Sequence, residues 1–373
     1  MPGLSWKVWR LGVIRSWRSP ASDGPETEYV PVFHAPGLTR NLNWRFVAAS
    51  ARRAISAWAP DLIYAAWLYP DGVAAARLAQ QMGLPCWLMA LGSDVMHLES
   101  AWRGRLIVEA CNQAQGVICV SGSLKDDLVE AGVRPRLAHV VANGVDTGLF
   151  RPRRRSDAAE KLRARGAWSA DLPREPRIAI FAGNFVEVKR PLLAIEAWGA
   201  LLERAREHGG ALVLLLFGRG PLEAEIRRRI RKSGLEKSVF VMGARSPDEL
   251  ALWMNVADCL CLCSSSEGMP NVVLEALASG LPVVATPAGA VPELLRDPRA
   301  GTVVREGRSA ADTAERLVEA MEGCLVRTCD EPAGGRQAFW TRSWDDMARD
   351  ITALIRGKGL RSAGSPQESP SGD

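Results

Sequence analysis

The sequence lacks the usual marks of a metal or redox centre. It has no D-x-D carboxylate pair, and its eight cysteines (86, 111, 119, 259, 261, 263, 324 and 329) include no C-x-x-C pair of the kind that holds zinc. Its four histidines, at 34, 97, 139 and 208, are scattered, and ordinary structural roles suit each of them. A G-x-G is present at Gly218 and Gly220, but Glu223 stands where the dinucleotide fingerprint needs its third glycine, so NAD binding loses ground. No run approaches the roughly 18 apolar residues that a membrane span requires. No apolar signal core with a small-residue cleavage site is seen near Met1, and reduced thiols in a cytoplasmic setting are expected. The net charge of +5 is too mild for a nucleic-acid partner.

That charge is uneven. Residues 1–60 carry all of it, and Trp6, Trp9, Val13 and Trp17 recur at helical spacing among Lys7, Arg10, Arg15 and Arg18. A basic interfacial helix touching a membrane would fit this pattern. A solvated face, or an ordinary strand or helix packed on the first domain, explains it too and is the preferred reading.

Elsewhere short apolar runs alternate with helical patterns in two halves. Strands are expected at 61–66, 84–90 and 116–120, with helices at 71–82 and at 124–130, the latter capped by Ser123 and closed by Gly132. Residues 151–177 are polar and proline-bearing and read as a linker. The pattern then resumes with strands at 177–182, 211–217, 238–242, 259–263 and 281–286, and helices at 191–202 and 222–232. Cys259, Cys261 and Cys263 alternate, which places them on one buried strand face. A late amphipathic helix spans 340–355, and the Gly/Ser/Pro-rich tail 357–373 reads as disordered. The fold class is α/β: two Rossmann-like halves, 1–150 and 178–339, with parallel sheets and a cleft between them. Ligands are expected at the carboxyl ends of the strands.

The most informative stretch is Cys263-Ser-Ser-Ser-Glu267-Gly268-Met269-Pro270-Asn271-Val272-Val-Leu-Glu275-Ala-Leu-Ala-Ser-Gly280. A strand ends, a loop follows, and a helix starts near Pro270. The free amides of its first turn, with the helix dipole, make a diphosphate site. Glu267 before the helix and Glu275 inside it flank that site. Glu275 suits two vicinal ribose hydroxyls. Glu267 suits the sugar and the positive charge that develops at its anomeric carbon. Both could instead be solvated acids near a helix start. Lys189, one of only seven lysines, follows the strand-to-helix loop of Gly183 and Asn184 and could neutralise a leaving diphosphate. The turn at Gly218 and Gly220 admits close backbone approach to a base or ribose, or is a simple tight turn. With no metal site in view, the diphosphate charge falls to Lys189 and backbone dipoles.

At these residues the chain resembles the GT-B retaining glycosyltransferases of family 4, the group 1 transferases. The resemblance rests on Glu267…Glu275, on 183–189, on 217–221 and on Gly289-Ala-Val-Pro-Glu293. In the first half it rests on Trp67-Leu-Tyr-Pro-Asp-Gly72, Gly92-Ser93-Asp94, Val120-Ser121 and Asn143-Gly-Val-Asp146. It covers about residues 60–355 and points to teichuronic-acid or exopolysaccharide transferases of the bacterial cell envelope. It implies a nucleoside-diphosphate sugar donor in the second domain, with Glu275 on the ribose, Lys189 on the diphosphate and Glu267 on the transferred sugar. Gly183, Asn184, Gly218, Gly220, Gly268, Met269, Pro270, Asn271 and Val272 would line the donor. The first domain, with Gly92, Ser93 and Asp94, would take a glycan or lipid-linked acceptor. Retention of configuration, independence of metal, and a helix at 340–356 returning to the first domain are further implications. The chain departs from the pattern in three places. Asn184 replaces a phosphate-binding Arg, and Leu91 replaces a cleft His. The strand, Gly-rich loop and helix that open relatives are not evident before Trp67, so the first domain is expected to lack that unit. The last two departures motivate an alternative, a non-catalytic nucleotide-sugar-binding partner of another transferase. An epimerase of nucleotide sugars is a third reading.

Overall fold

The computed structural model describes residues 17–18, 28–29, 32, 41–169, 171–173, 175–205, 211–325 and 336–357. The chain divides into two compact units, residues 1–118 with 127–139, and residues 119–126 with 140–373. The helix expected through Trp6, Trp9 and Val13 lies outside the described residues, whereas Trp17 sits in a strand. The tail beyond Gly357 also lies outside them. Among the described residues, no helix is long and apolar enough to cross a membrane.

The first unit opens with an antiparallel ribbon of β1 (Trp17–Arg18) and β2 (Glu28–Tyr29), then helix α1 (Asn43–Trp58). Next come β3 (Ile63–Ala66), α2 (Val73–Met82), β4 (Cys86–Ala90), α3 (Ala101–Gln113), β5 (Gly116–Cys119), α4 (Gly122–Glu130), whose residues 122–126 belong to the second unit, and β6 (Ala138–Val140). The sheet order is β3-β4-β5-β6, with β3 and β4 parallel. Every residue of β4 is buried, as expected of a strand covered on both faces. Gly116 is needed for packing: a Cβ there would fall 2.3 Å from the Trp87 ring. Helix α4 starts two residues before Leu124, and Ser121, not Ser123, supplies the cap, its hydroxyl accepting from Leu124 N–H. Ser123 instead gives its own backbone N–H to the Glu293 carboxylate at 2.9 Å.

The second unit carries α5 (Arg155–Ala164), β7 (Arg177–Ala182), α6 (Pro191–Ala205), β8 (Leu212–Phe217), α7 (Glu223–Lys232), β9 (Val239–Gly243) and α8 (Pro247–Val256). It continues through β10 (Cys259–Leu262), α9 (Asn271–Ala278), β11 (Val283–Ala285), α10 (Val291–Leu294), β12 (Gly301–Val303), α11 (Ala310–Leu325) and α12 (Trp344–Ile355). Its six parallel strands run β12-β11-β10-β7-β8-β9. The chain therefore builds outward from β7 in one direction, then returns to build from β10 in the other. The β7/β10 junction is the topological switch point, where open sheets leave a crevice at the strand ends. Beneath it lies a core that includes Trp198, Phe181, Leu201 and Leu317. Cys259, Cys261 and Cys263 are part of that core, each fully buried.

The stretch 151–177 is more ordered than its composition suggested. It holds α5, whose Ala158, Ala159 and Leu162 are buried, and Trp168 stacks on Trp253 of α8 at 5.5 Å. Asp258 anchors it, accepting from Arg155 at 2.8 Å, from Arg177 at 3.1 Å and from the Ile178 N–H at 2.7 Å. Proline and arginine density marks the segment as polar, but the buried face of α5 has only three small or apolar residues, too few to raise a periodic signal. Helix α12 begins at a capping box of Ser343 and Asp346. Just before it, Arg342 donates to the Ala142 carbonyl and Ser343 bridges to Val145.

Candidate functional site

Two strand-to-helix loops leave the switch point side by side: 183–190 after β7 and 263–270 after β10. Backbone bonds join them. Ser265 N–H donates to the Val188 carbonyl at 2.9 Å. Arg190 donates from Nε to the Cys263 carbonyl at 2.5 Å and from Nη2 to the Ser264 carbonyl at 3.0 Å. The Thr286 hydroxyl donates to that same Ser264 carbonyl at 2.6 Å. Arg190 holds φ +47, left-handed backbone that a non-glycine residue adopts only when its surroundings hold it there.

This zipper brings Lys189 and Glu267 together, with Nζ 2.5 Å from Oε1. Glu267 keeps only 8% of its side chain exposed, so the lysine supplies the compensation that a buried carboxylate needs. From the other side Gly289 presses on the loop. Its φ is +53, and a Cβ there would lie 2.1 Å from the Glu267 carbonyl. Ala290 N–H donates to the Gly268 carbonyl at 2.9 Å. The position of Glu267 is thus fixed by three segments.

Helix α9 starts directly after Pro270, with no side-chain cap and no acid in its first turn. The Val273 N–H donates to the Pro270 carbonyl at 3.0 Å, and the Asn271 and Val272 amides before it keep their capacity to bind an anion. Asn271, its first residue, is exposed, and Asn143 Nδ2 donates to Asn271 Oδ1 at 2.9 Å. Gly268, Met269 and Pro270 are buried, and the Met269 sulfur accepts from Asn143 N–H. Val272 is half-buried. One turn on, Glu275 is mostly buried, and among the described residues no hydrogen bond or cation is recorded at its carboxylate. Burial pushes its pKa up from 4.5 to about 7, because the charged form is poorly solvated there. An isolated acid held this way is a feature of functional sites.

Gly183 and Asn184 lie on the same loop as Lys189. A Cβ on Gly183 would meet nothing within 4 Å, and Asn184 is exposed. Gly218 and Gly220 behave differently from expectation. Their close approach is to the chain itself: a Cβ on Gly218 would lie 1.9 Å from the Gly183 carbonyl, and one on Gly220 would lie 2.5 Å from the Phe185 carbonyl. They let the β8 turn pack under the β7 loop. Asp94 also departs from its expected role. It is 2% exposed, and its carboxylate accepts from the N–H groups of Leu68, Leu91 and Gly92. It organises two loops of the first unit and is too buried to meet an acceptor. Gly92 is buried, with φ +122, while Ser93 is exposed. Arg190, Thr286 and the Asn143 bond to Asn271 escaped sequence reasoning, since each acts through partners 74, 22 and 128 residues away. Among the described residues, no three His, Cys, Asp or Glu side chains could share a metal ion.

Residues 10–149 match the model of the Glycosyltransferase Family 4, and residues 176–323 that of the Glycosyl transferases group 1. A D-inositol 3-phosphate glycosyltransferase of Nocardioides sp. is 31% identical over 238 residues, 60% of this chain and 49% of the relative. A putative teichuronic acid biosynthesis glycosyltransferase of Bacillus subtilis is 28% identical over 63% of this chain and 55% of the relative. The chain thus spans about half the length of these curated relatives. In three dimensions it resembles an Anabaena protein solved with UDP and glucose, at TM-score 0.64 and 22% identity, over 84% of this chain and 82% of that one. Two parallel-sheet units, the β7/β10 switch point and these two matched models agree: the chain belongs to the family 4, group 1 glycosyltransferases of GT-B fold.

Proposed function

We propose that this protein transfers a sugar from a nucleoside diphosphate to a glycan or lipid-linked acceptor of a bacterial cell envelope or exopolysaccharide, with retention and without a metal ion. The observation that carries the reading is Glu275, a mostly buried acid with no hydrogen bond or cation at its carboxylate among the described residues, one turn inside a helix that has no side-chain cap. In this reading the diphosphate sits on the amides of α9 and draws Lys189 away from Glu267. Glu275 accepts the two ribose hydroxyls, and the freed Glu267 orients the sugar. The bond from the anomeric carbon to the diphosphate breaks as the acceptor oxygen bonds to that carbon from the same face. The acceptor's proton passes to the departing phosphate oxygen. Lys189 and the helix amides offset the charge left on the diphosphate. Gly183 and Asn184, on the Lys189 loop, line the same donor. The envelope acceptor is suggested by the teichuronic acid relative, and the uridine nucleotide by the Anabaena complex. The reaction would run on the cytoplasmic side, with the basic N-terminal residues touching the membrane surface.

The test is a thermal-shift screen with UDP-, GDP- and dTDP-sugars, followed by turnover of the stabilising donor. A true donor raises the midpoint because it binds the native state alone. Lys189→Ala and Glu267→Ala should each lower turnover by about 100-fold or more while circular dichroism stays native. Full activity in both variants would refute these roles.

A further inference from the structure

We infer that Trp67 is a stacking platform for a pyranose ring of the acceptor, an assignment that rests on the glycosyl-transfer reading above. Trp67 follows β3 directly, at the carboxyl end of a parallel strand, where open sheets bind ligands. Its backbone holds φ +62 and ψ 132, close to a region populated essentially by glycine. Two bonds enforce this conformation. The Trp67 carbonyl accepts from Gly72 N–H at 2.8 Å, and the next N–H, that of Leu68, donates to the buried Asp94 carboxylate at 3.0 Å. Gly72 has no room to move, since a Cβ there would lie 2.8 Å from the Trp67 carbonyl.

The strained backbone buries the neighbours and turns the indole outward. Leu68 and Tyr69 are buried, while Trp67 stays 49% exposed. A glycine would adopt this conformation without strain and leave no apolar surface in water. A single exposed apolar residue needs no explanation. One held in glycine's conformation, at a strand's ligand-binding end, does. The loop is also tied to the segment expected to face an acceptor. Asp94 clamps Leu91 and Gly92 together with Leu68, and β3 pairs with β4 up to Ala66 and Met89, so Trp67 and exposed Ser93 emerge from adjacent strand ends. An indole offers a broad, electron-rich face. The complementary surface is the apolar face of a pyranose, whose C–H bonds carry partial positive charge. The hydroxyls on the ring's edge would fall to groups such as the Ser93 side chain.

The experiment labels the full chain with 5-fluorotryptophan and records its fluorine spectrum, with the Trp67 resonance assigned by its loss in Trp67→Phe. Methyl pyranosides of glucose, galactose, mannose and N-acetylglucosamine are titrated, then UDP. At least one glycoside should shift the Trp67 resonance saturably. By relaxation-based binding, Trp67→Phe should retain part of the affinity and Trp67→Gly should lose about tenfold or more. Trp67→Gly should also keep or raise the thermal midpoint, because it removes strain, and a merely structural tryptophan could not do this. UDP should stabilise wild type and all variants equally. A Trp67 resonance that none of the glycosides moves overturns the assignment, as does a Trp67→Gly variant that melts lower yet binds glycoside normally. UDP binding with no glycoside response refutes Trp67 and leaves the donor reading standing. Trp67-dependent glycoside binding without any nucleotide response does the reverse.

Discussion

Replacing Glu275 with Gln should stabilise the protein, and chiefly at high pH. Burial raises the acid from 4.5 to about 7, so the folded chain holds a proton that the unfolded chain releases. The sign follows from linkage. Well below pH 4.5 both states are protonated and the native state has its full stability. As pH rises towards 7, the unfolded state ionises first and gains on the folded state, and the loss is complete once pH passes about 7. At about 1.4 kcal/mol per pH unit of displacement, the loss is roughly 3 kcal/mol. Gln has nearly the same shape and does not titrate. Glu275→Gln should therefore exceed wild type by no more than about 1 kcal/mol at pH 5 and by about 3 kcal/mol at pH 8.5. Urea unfolding at both pH values reads this as a shift of midpoint at constant slope. Donor binding should move the other way. Ribose hydroxyls donate to the ionised acid, so UDP affinity in wild type should rise with pH through about 7 and then level off, whereas the variant should bind weakly with no such rise. A stability difference of the same size at pH 5 and pH 8.5 would show that Glu275 is not a buried acid, and the ribose assignment would lose its physical basis.

Gly289→Ala should cost about 2–4 kcal/mol, because its Cβ would meet the Glu267 carbonyl at 2.1 Å in left-handed backbone. The check is a urea midpoint, accompanied by a disproportionate loss of turnover as Glu267 shifts. Asp258→Ala should cost about 3 kcal/mol or more, since it strands Arg155 and Arg177 and the Ile178 N–H. Limited proteolysis should then cut within residues 151–177.

Long periodic segments and buried strands were legible from the sequence. The runs behind β7, β8 and β10 stand out because both faces are buried, so after Arg177 at the start of β7 their composition is apolar throughout. The Glu267 to Glu275 stretch was legible because strand, loop and helix start follow within a few residues. Helices α1, α3, α8 and α11 went unread, although α8 opens with Ser246-Pro247-Asp248-Glu249, a capping serine, a first-turn proline and two acids. What no local pattern could reveal is which glycine faces open space and which packs against the chain. Gly183 and Gly218 look alike as strand-end glycines. One faces open space and the other would strike the carbonyl of the first. The same holds for Asp94, whose three N–H partners come from two loops that only the fold brings together.

The costly features of the two units are of different kinds. In the second unit the cost is electrostatic: Glu275 is desolvated with no hydrogen bond or cation at its carboxylate among the described residues, and the little-exposed Glu267 is paired with Lys189. In the first unit it is conformational: Trp67 is pinned in glycine's territory by Asp94 and Gly72. Each kind suits the group it is proposed to meet. A desolvated acid gains most from hydroxyl donors that arrive with the ligand, and an uncapped helix end gains most from an anion. A rigidly presented indole loses little freedom when a neutral ring settles on it. A chain selected for stability alone would place Gln at 275 and Gly at 67. That it carries Glu and Trp instead, one inside the helix after β10 and one directly after β3, is the physical argument for proposing a charged donor at the first and an uncharged sugar at the second.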